Sequence, residues 1–131
     1  MSKVAAIAVA GALGAVARYY VCIIALRVAG PRFAWGVLCA NVLGCLLLGL
    51  LMHATLRGGA GGLSPAMQSA LGVGFLGAFT TFSTFGVDTI EHWQAGEPKL
   101  AIANVVANLV LGLAAVLLGQ WLGNSLLGST T

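Results

Sequence analysis

Few residues in this chain could act on a solute, and they cluster. Arg18, Asn41, Asp88, Asn104, Asn108 and the hydroxyl run Thr80, Thr81, Ser83 and Thr84 stand inside otherwise apolar stretches. The hydroxyls share one segment, GFLGAFTTFSTF (residues 74–85), with four Phe and two Gly. Amides and hydroxyls donate hydrogen bonds, carboxylates are nearly absent, and Arg18 adds a fixed positive charge. A donor-rich, acid-poor lining suits an anion. Asn104 and Asn108 are four apart and share a helix face. Asn41 stands beside a stripe of small residues and is expected to face protein. Phe82 and Phe85 are three apart and share a face. A phenyl ring has a positive edge, so rings set edge-on beside hydroxyls can line a path for a small anion. The same Asn and Thr side chains could instead only hold helices together. Residue type alone leaves both readings open.

Gly77, followed by Thr80 and Thr81, can unwind a helix. That leaves carbonyls without amide partners, and such carbonyls coordinate a cation such as Na⁺. A cation held there would satisfy the break and raise the local positive potential. No nucleophile, base and acid can be assembled, so an enzyme is not expected. His53 and His92 fall near span ends without metal-ligating neighbours and read as interfacial histidines. Cys22, Cys39 and Cys45 lie in apolar segments without metal or CxxC spacing and read as small buried hydrophobes. Gly72, Gly74 and Gly77 spell GxGxxG, but no soluble strand precedes them, so the dinucleotide reading is rejected.

The elements that must position these groups follow from composition. The chain has 131 residues, 60% hydrophobic and 7% charged, with net charge +3. Soluble domains carry about a quarter charged residues. This composition cannot clothe a water-facing surface, and it contains no basic run for nucleic acid. The chain reads as one transmembrane domain over residues 1–131, with helical spans at about 4–28, 34–52, 65–90 and 100–122. The third is interrupted near Gly77 to Thr81. Spans in lipid must be helical because the backbone has to satisfy its own hydrogen bonds. The first apolar stretch continues past Arg18 to Val28, too long for a cleaved signal. AGPRF (29–33) stops the first helix. Ser64 and Pro65 read as the cap and first residue of the third. RGGAGGLSP (57–65) and EHWQAGEPK (91–99) are loops, and GNSLLGSTT (123–131) a frayed tail. Trp35, Trp93 and Trp121 fall near span ends, where an amphipathic ring sits best.

Small residues recur every fourth position: Ala6, Ala10, Gly14; Gly36, Ala40, Gly44; Ala115, Gly119, Gly123. Such stripes allow close helix approach. Four short helices enclose little alone, so an oligomer is expected. With Arg18 set aside, Lys3 and Arg57 lie on one side, and Arg27, Arg32 and Lys99 on the other. So small a bias permits insertion in both orientations and hence an antiparallel homodimer.

At these residues the sequence resembles the Fluc (CrcB) family of fluoride channels. The resemblance spans residues 4–122 and rests on GALGAVARY with Arg18, WGVLCANVLG with Asn41, and above all GFLGAFTTFSTF. It implies an all-α membrane protein of four transmembrane helices, the third broken near its middle, packed as an antiparallel dual-topology homodimer with two fluoride pores. It further implies a structural Na⁺ at the dimer centre, held by the Gly77 and Thr80 carbonyls of each subunit. Phe82, Phe85 and Asn41 match pore-lining positions, Ser83 and Thr84 the polar track, and Arg18 the first-helix arginine. The chain departs from the pattern at Val37, where the family often has Thr, and at Asp88, where it has Glu. Asn104 and Asn108 stand where it commonly has Tyr, Ser or Thr; amides donate as hydroxyls do, so both are kept as pore-lining. The expectation is passive export of cytoplasmic fluoride across a prokaryotic inner membrane, with the lipid bilayer and an inverted second copy as partners. A small multidrug-type proton-coupled exporter needs an acid deep in the first span, where only Arg18 stands. A non-transporting structural subunit would explain the stripes but not the clustered Phe and Thr.

Overall fold

A computed structural model of the chain describes residues 2–56 and 63–127, and every regular element among them is helical. Helix α1 (Lys3–Ala29) begins where the Ser2 hydroxyl accepts the Ala5 N–H at 3.2 Å. It ends at Gly30, whose φ of 78° is open to glycine at little cost. Helix α2 spans Trp35–Leu56. Helix α3 (Pro65–Ser69) starts as its sequence suggests: Ser64 Oγ caps the Met67 N–H at 3.2 Å, and Pro65 takes the first turn. The chain continues as a π-helical segment (Ala70–Leu76) and a single α turn, α4 (Gly77–Phe79). Thr80 and Thr81 are extended, with φ, ψ of −84°, 159° and −152°, 116°. Helix α5 (Phe82–Gln94) follows, and α6 (Pro98–Leu127) completes the bundle.

Four helical stretches, Lys3–Ala29, Trp35–His53, Pro65–Gln94 and Pro98–Leu126, are long and apolar enough to cross a membrane. The burial pattern agrees with that setting. Large apolar side chains such as Leu113, Leu117 and Val28 point outward. Among the described residues the largest fully buried side chain is an amide, Asn104. A surface of this kind is stable against hydrocarbon and not against water.

Glycine sets two of the close approaches. Helix α2 packs most extensively on α6, where a methyl on Gly119 would strike the Leu46 carbonyl and one on Gly49 the Val116 carbonyl. Likewise α1 lies on the π segment with Gly14 against the Phe75 carbonyl. The small-residue stripes are thus used largely inside one chain, and they are not in themselves a signal of an oligomer.

Two sequence expectations are corrected. Helix α6 does not end at residue 122 but runs to Leu127, because Gly123 is the seat of His53 rather than a helix breaker. His53 closes the second apolar stretch and is buried at that contact. Cys39, expected buried, is exposed on α2. The RGGAGG part of the second loop and the last four residues lie outside the described residues.

Candidate functional site

The extended pair Thr80–Thr81 organises the site. The Thr81 N–H, which in a continuous helix would bond the Gly77 carbonyl, donates to Asn41 Oδ1 at 2.9 Å. Asn41 Nδ2 returns a bond to the Thr81 carbonyl at 3.2 Å. An amide side chain on α2 therefore pairs with Thr81 on both sides, as a neighbouring strand would. The same residue's Oγ1 caps α5 by accepting the Thr84 N–H at 3.2 Å. That amide would otherwise bond the Thr80 carbonyl. The carbonyls of Gly77 and Thr80 are thus among those at the break whose helical donors turn elsewhere. Gly77 itself keeps helical angles, φ −63° and ψ −34°. The extended residues are the threonines, not the glycine.

Gly44 makes room for this arrangement: a Cβ there would overlap Thr80 Cγ2. The Thr80 hydroxyl bonds back to the Leu76 carbonyl at 3.1 Å, and so tightens the turn before the extended pair.

A groove of about 320 Å³ opens beside it, lined by Asn41, Gly77, Thr80, Phe82, Phe85 and Asn108 among others. With Thr81, which also lines it, these are residues singled out by sequence, and they meet there. The Phe82 and Phe85 rings lie 5.4 Å apart at 51°. Phe82 is 82% exposed, whereas Phe79, stacked on Phe75, is 5% exposed. Ser83 and Thr84 lie on the first turn of α5, their hydroxyls 3.2 and 2.9 Å from Thr81 Oγ1. Ser83 lines a second groove on the outer face of α5 together with Phe82.

Asn108 joins the site from α6: its Oδ1 accepts from Asn41 Nδ2 at 2.9 Å. Asn104 lies behind it, with no exposed surface. It accepts from Asn108 Nδ2 and donates to Thr89 Oγ1 at 2.9 Å. Arg18 and Asp88 do not line the groove. Arg18 is half-buried on α1. Asp88 borders a small pocket with Pro31, Phe33, Glu91 and His92 at the end of α5. There His92 stacks on Phe33 and pairs with Glu97 at 3.5 Å.

Sequence reasoning missed the π segment, Gly44 as the seat of Thr80, and Thr89. The signal for Thr89 was present in its spacing: a threonine four residues after Phe85 can bond that residue's carbonyl, and it does so at 2.8 Å.

The fold and site define a multi-span membrane protein with a mostly apolar, aromatic-edged groove, polar only where Asn41, Asn108 and the extended pair Thr80–Thr81 border it. A family model described as "CrcB-like protein, Camphor Resistance (CrcB)" matches residues 5–120. Curated relatives named "Fluoride-specific ion channel FluC" align over almost the whole chain. That of Agrobacterium fabrum is 40% identical over 126 residues, covering 96% of this chain and 99% of its own. That of Geobacter sulfurreducens is 43% identical over 123 residues, 94% of each. The chain belongs to the CrcB family.

Proposed function

We propose that the chain is a fluoride-selective channel, not an enzyme, through which cytoplasmic fluoride leaves passively. Hydrogen fluoride enters a cell in its neutral form and dissociates, and a channel lets the trapped anion out down its electrochemical gradient. The full-length similarity to relatives named fluoride-specific channels supports this reading. The observation that carries it is the Phe82–Phe85 pair at the groove, with one ring almost wholly exposed beside hydroxyls. Two ring edges and the Ser83 and Thr84 hydroxyls offer partial positive charge without a counter-charge that would hold the ion fast. Asn41 and Asn108 line the path at its wall, Asn104 supports them from behind, and Arg18 and Asp88 act at longer range on the mouths. Chloride exclusion follows from a narrow, donor-lined path that suits a small anion.

The assembly is a homodimer of oppositely inserted copies in a prokaryotic inner membrane, with two pores. The near balance of charge between the two loop faces supports it, as does the exposure of Phe82, which a second copy would cover. A structural Na⁺ fits the same centre. The carbonyls of Gly77 and Thr80 have lost their helical donors, and bare carbonyls are hard oxygen ligands suited to an alkali cation. Such an ion would supply fixed positive potential.

Fluoride efflux from liposomes carrying the purified protein is the test. Efflux well above that of empty vesicles is expected, with chloride retained. Flux equal to empty vesicles ends the reading.

A further inference from the structure

The hydrogen bonds behind the groove form one continuous relay. The Thr81 N–H donates to Asn41 Oδ1. Asn41 Nδ2 donates to Asn108 Oδ1 at 2.9 Å. Asn108 Nδ2 donates to Asn104 Oδ1 at 3.0 Å. Asn104 Nδ2 donates to Thr89 Oγ1 at 2.9 Å and, at a long 3.4 Å, to the Phe85 carbonyl itself; the Thr89 hydroxyl makes the shorter bond to that carbonyl, at 2.8 Å. The relay leaves α5 just before Phe82, crosses α2 and α6, and re-enters α5 at Phe85. It encloses the turn that carries both rings.

Its direction is imposed from both ends. An amide side chain can flip, exchanging oxygen for nitrogen. The two ends cannot: a backbone N–H only donates and a backbone carbonyl only accepts. Thr81 therefore requires an oxygen from Asn41, which leaves its nitrogen for Asn108, and so on along the row. From the other end, the Thr89 hydroxyl gives its proton to Phe85 and must accept from Asn104. The two requirements agree at every link. Aligned donors polarise one another, and Asn104, with no exposed surface, has no water to turn to.

We propose that Thr89 and Asn104 are positioning residues that hold the Phe82–Phe85 turn by closing this one-way relay from the Thr81 N–H to the Phe85 carbonyl. Neither side chain lines the groove; each acts through Asn108 and Asn41 at one end and through the Phe85 backbone at the other. The proposal rests on the channel reading only for its flux readout.

The test compares Thr89→Val, which keeps shape and removes the hydroxyl, with Thr89→Ser, which keeps the hydroxyl. Both are made in the full chain, and two quantities are read. The first is hydrogen exchange at the Thr81 amide, eight residues away at the far end of the relay. Thr89→Val is expected to speed it and Thr89→Ser to leave it near wild type. The second is fluoride efflux from liposomes, expected to fall about tenfold or more in Thr89→Val and to stay within about twofold in Thr89→Ser, as misplaced contact groups demand. Unchanged Thr81 exchange in Thr89→Val overturns the proposal, as does a failure of Thr89→Ser to restore it. Should Thr89→Val and Thr89→Ala both fail to fold while Thr89→Ser folds, the hydroxyl is merely structural and the proposal is likewise overturned. A wild-type protein without fluoride flux would remove the channel reading, and the exchange measurement alone would then decide the relay.

Discussion

Asn41 and Thr81, forty positions apart, pair through both ends of one amide: Asn41 Oδ1 accepts the Thr81 N–H and Asn41 Nδ2 donates to the Thr81 carbonyl. Asn41→Leu leaves the Thr81 N–H without its partner in an apolar bundle, whereas the Thr81 carbonyl, as the N-cap of α5, keeps its place in the helix. The orphaned group costs about 1–3 kcal/mol, so a clear drop in unfolding midpoint in detergent is expected, with loss of fluoride efflux. A variant as stable as wild type would show that Thr81 finds other partners.

The two rings of the groove separate stability from transport. Phe82 is almost wholly exposed in the single chain, so Phe82→Ile should leave the fold of each protomer intact, read as an unchanged helical content. Ring-edge contacts worth about 0.5–1.5 kcal/mol convert to a loss of up to about tenfold in fluoride efflux for Phe82→Ile or Phe85→Ile. Liposome flux at wild-type levels would remove the ring edges from the conduction path.

Two glycines in the same neighbourhood should respond in opposite ways. A Cβ on Gly44 overlaps Thr80 Cγ2, whereas one on Gly86 meets nothing within 4 Å. Gly44→Ala should destabilise by about 1–3 kcal/mol and displace Thr80. Gly86→Ala, in a helix, should be neutral or stabilising by up to about 1 kcal/mol in the single chain. Thermal unfolding of the pair reads both, and equal midpoints would contradict the packing described around Thr80.

If Na⁺ is held by the Gly77 and Thr80 carbonyls, stability must rise with Na⁺ concentration. A ligand at a hundred times its Kd adds about 2.7 kcal/mol. Melting in sodium salt should therefore exceed melting in N-methylglucamine salt at equal ionic strength. Identical curves would argue against a structural cation at that centre.

Oppositely inserted copies predict that a single cysteine in the α5–α6 turn, at Gly96 for example, labels from both sides of the membrane. Labelling from one side alone would exclude dual insertion.

Much of the fold was legible in the chain. Apolar runs long enough to span a bilayer dictate helices because lipid offers the backbone no hydrogen bonds. The Ser64–Pro65 start and the Gly30 stop were readable because capping is chemistry between near neighbours. The end of α6 was not. Gly123 looks like a breaker locally, and only His53 on another helix makes it a contact point.

The site divides in the same way. Its inventory of amides, hydroxyls and Phe rings inside apolar spans was written in the sequence, since polar groups at that depth are costly and stand out. How those groups are joined was not. Asn104 and Asn108 share a helix face by spacing, yet only the packing of α6 against α2 and α5 buries Asn104 completely, hands its amide to Thr89, and leaves Asn108 to meet Asn41. Helix periodicity is a local property, but a hydrogen bond between residues 41 and 81 exists only once four helices have docked.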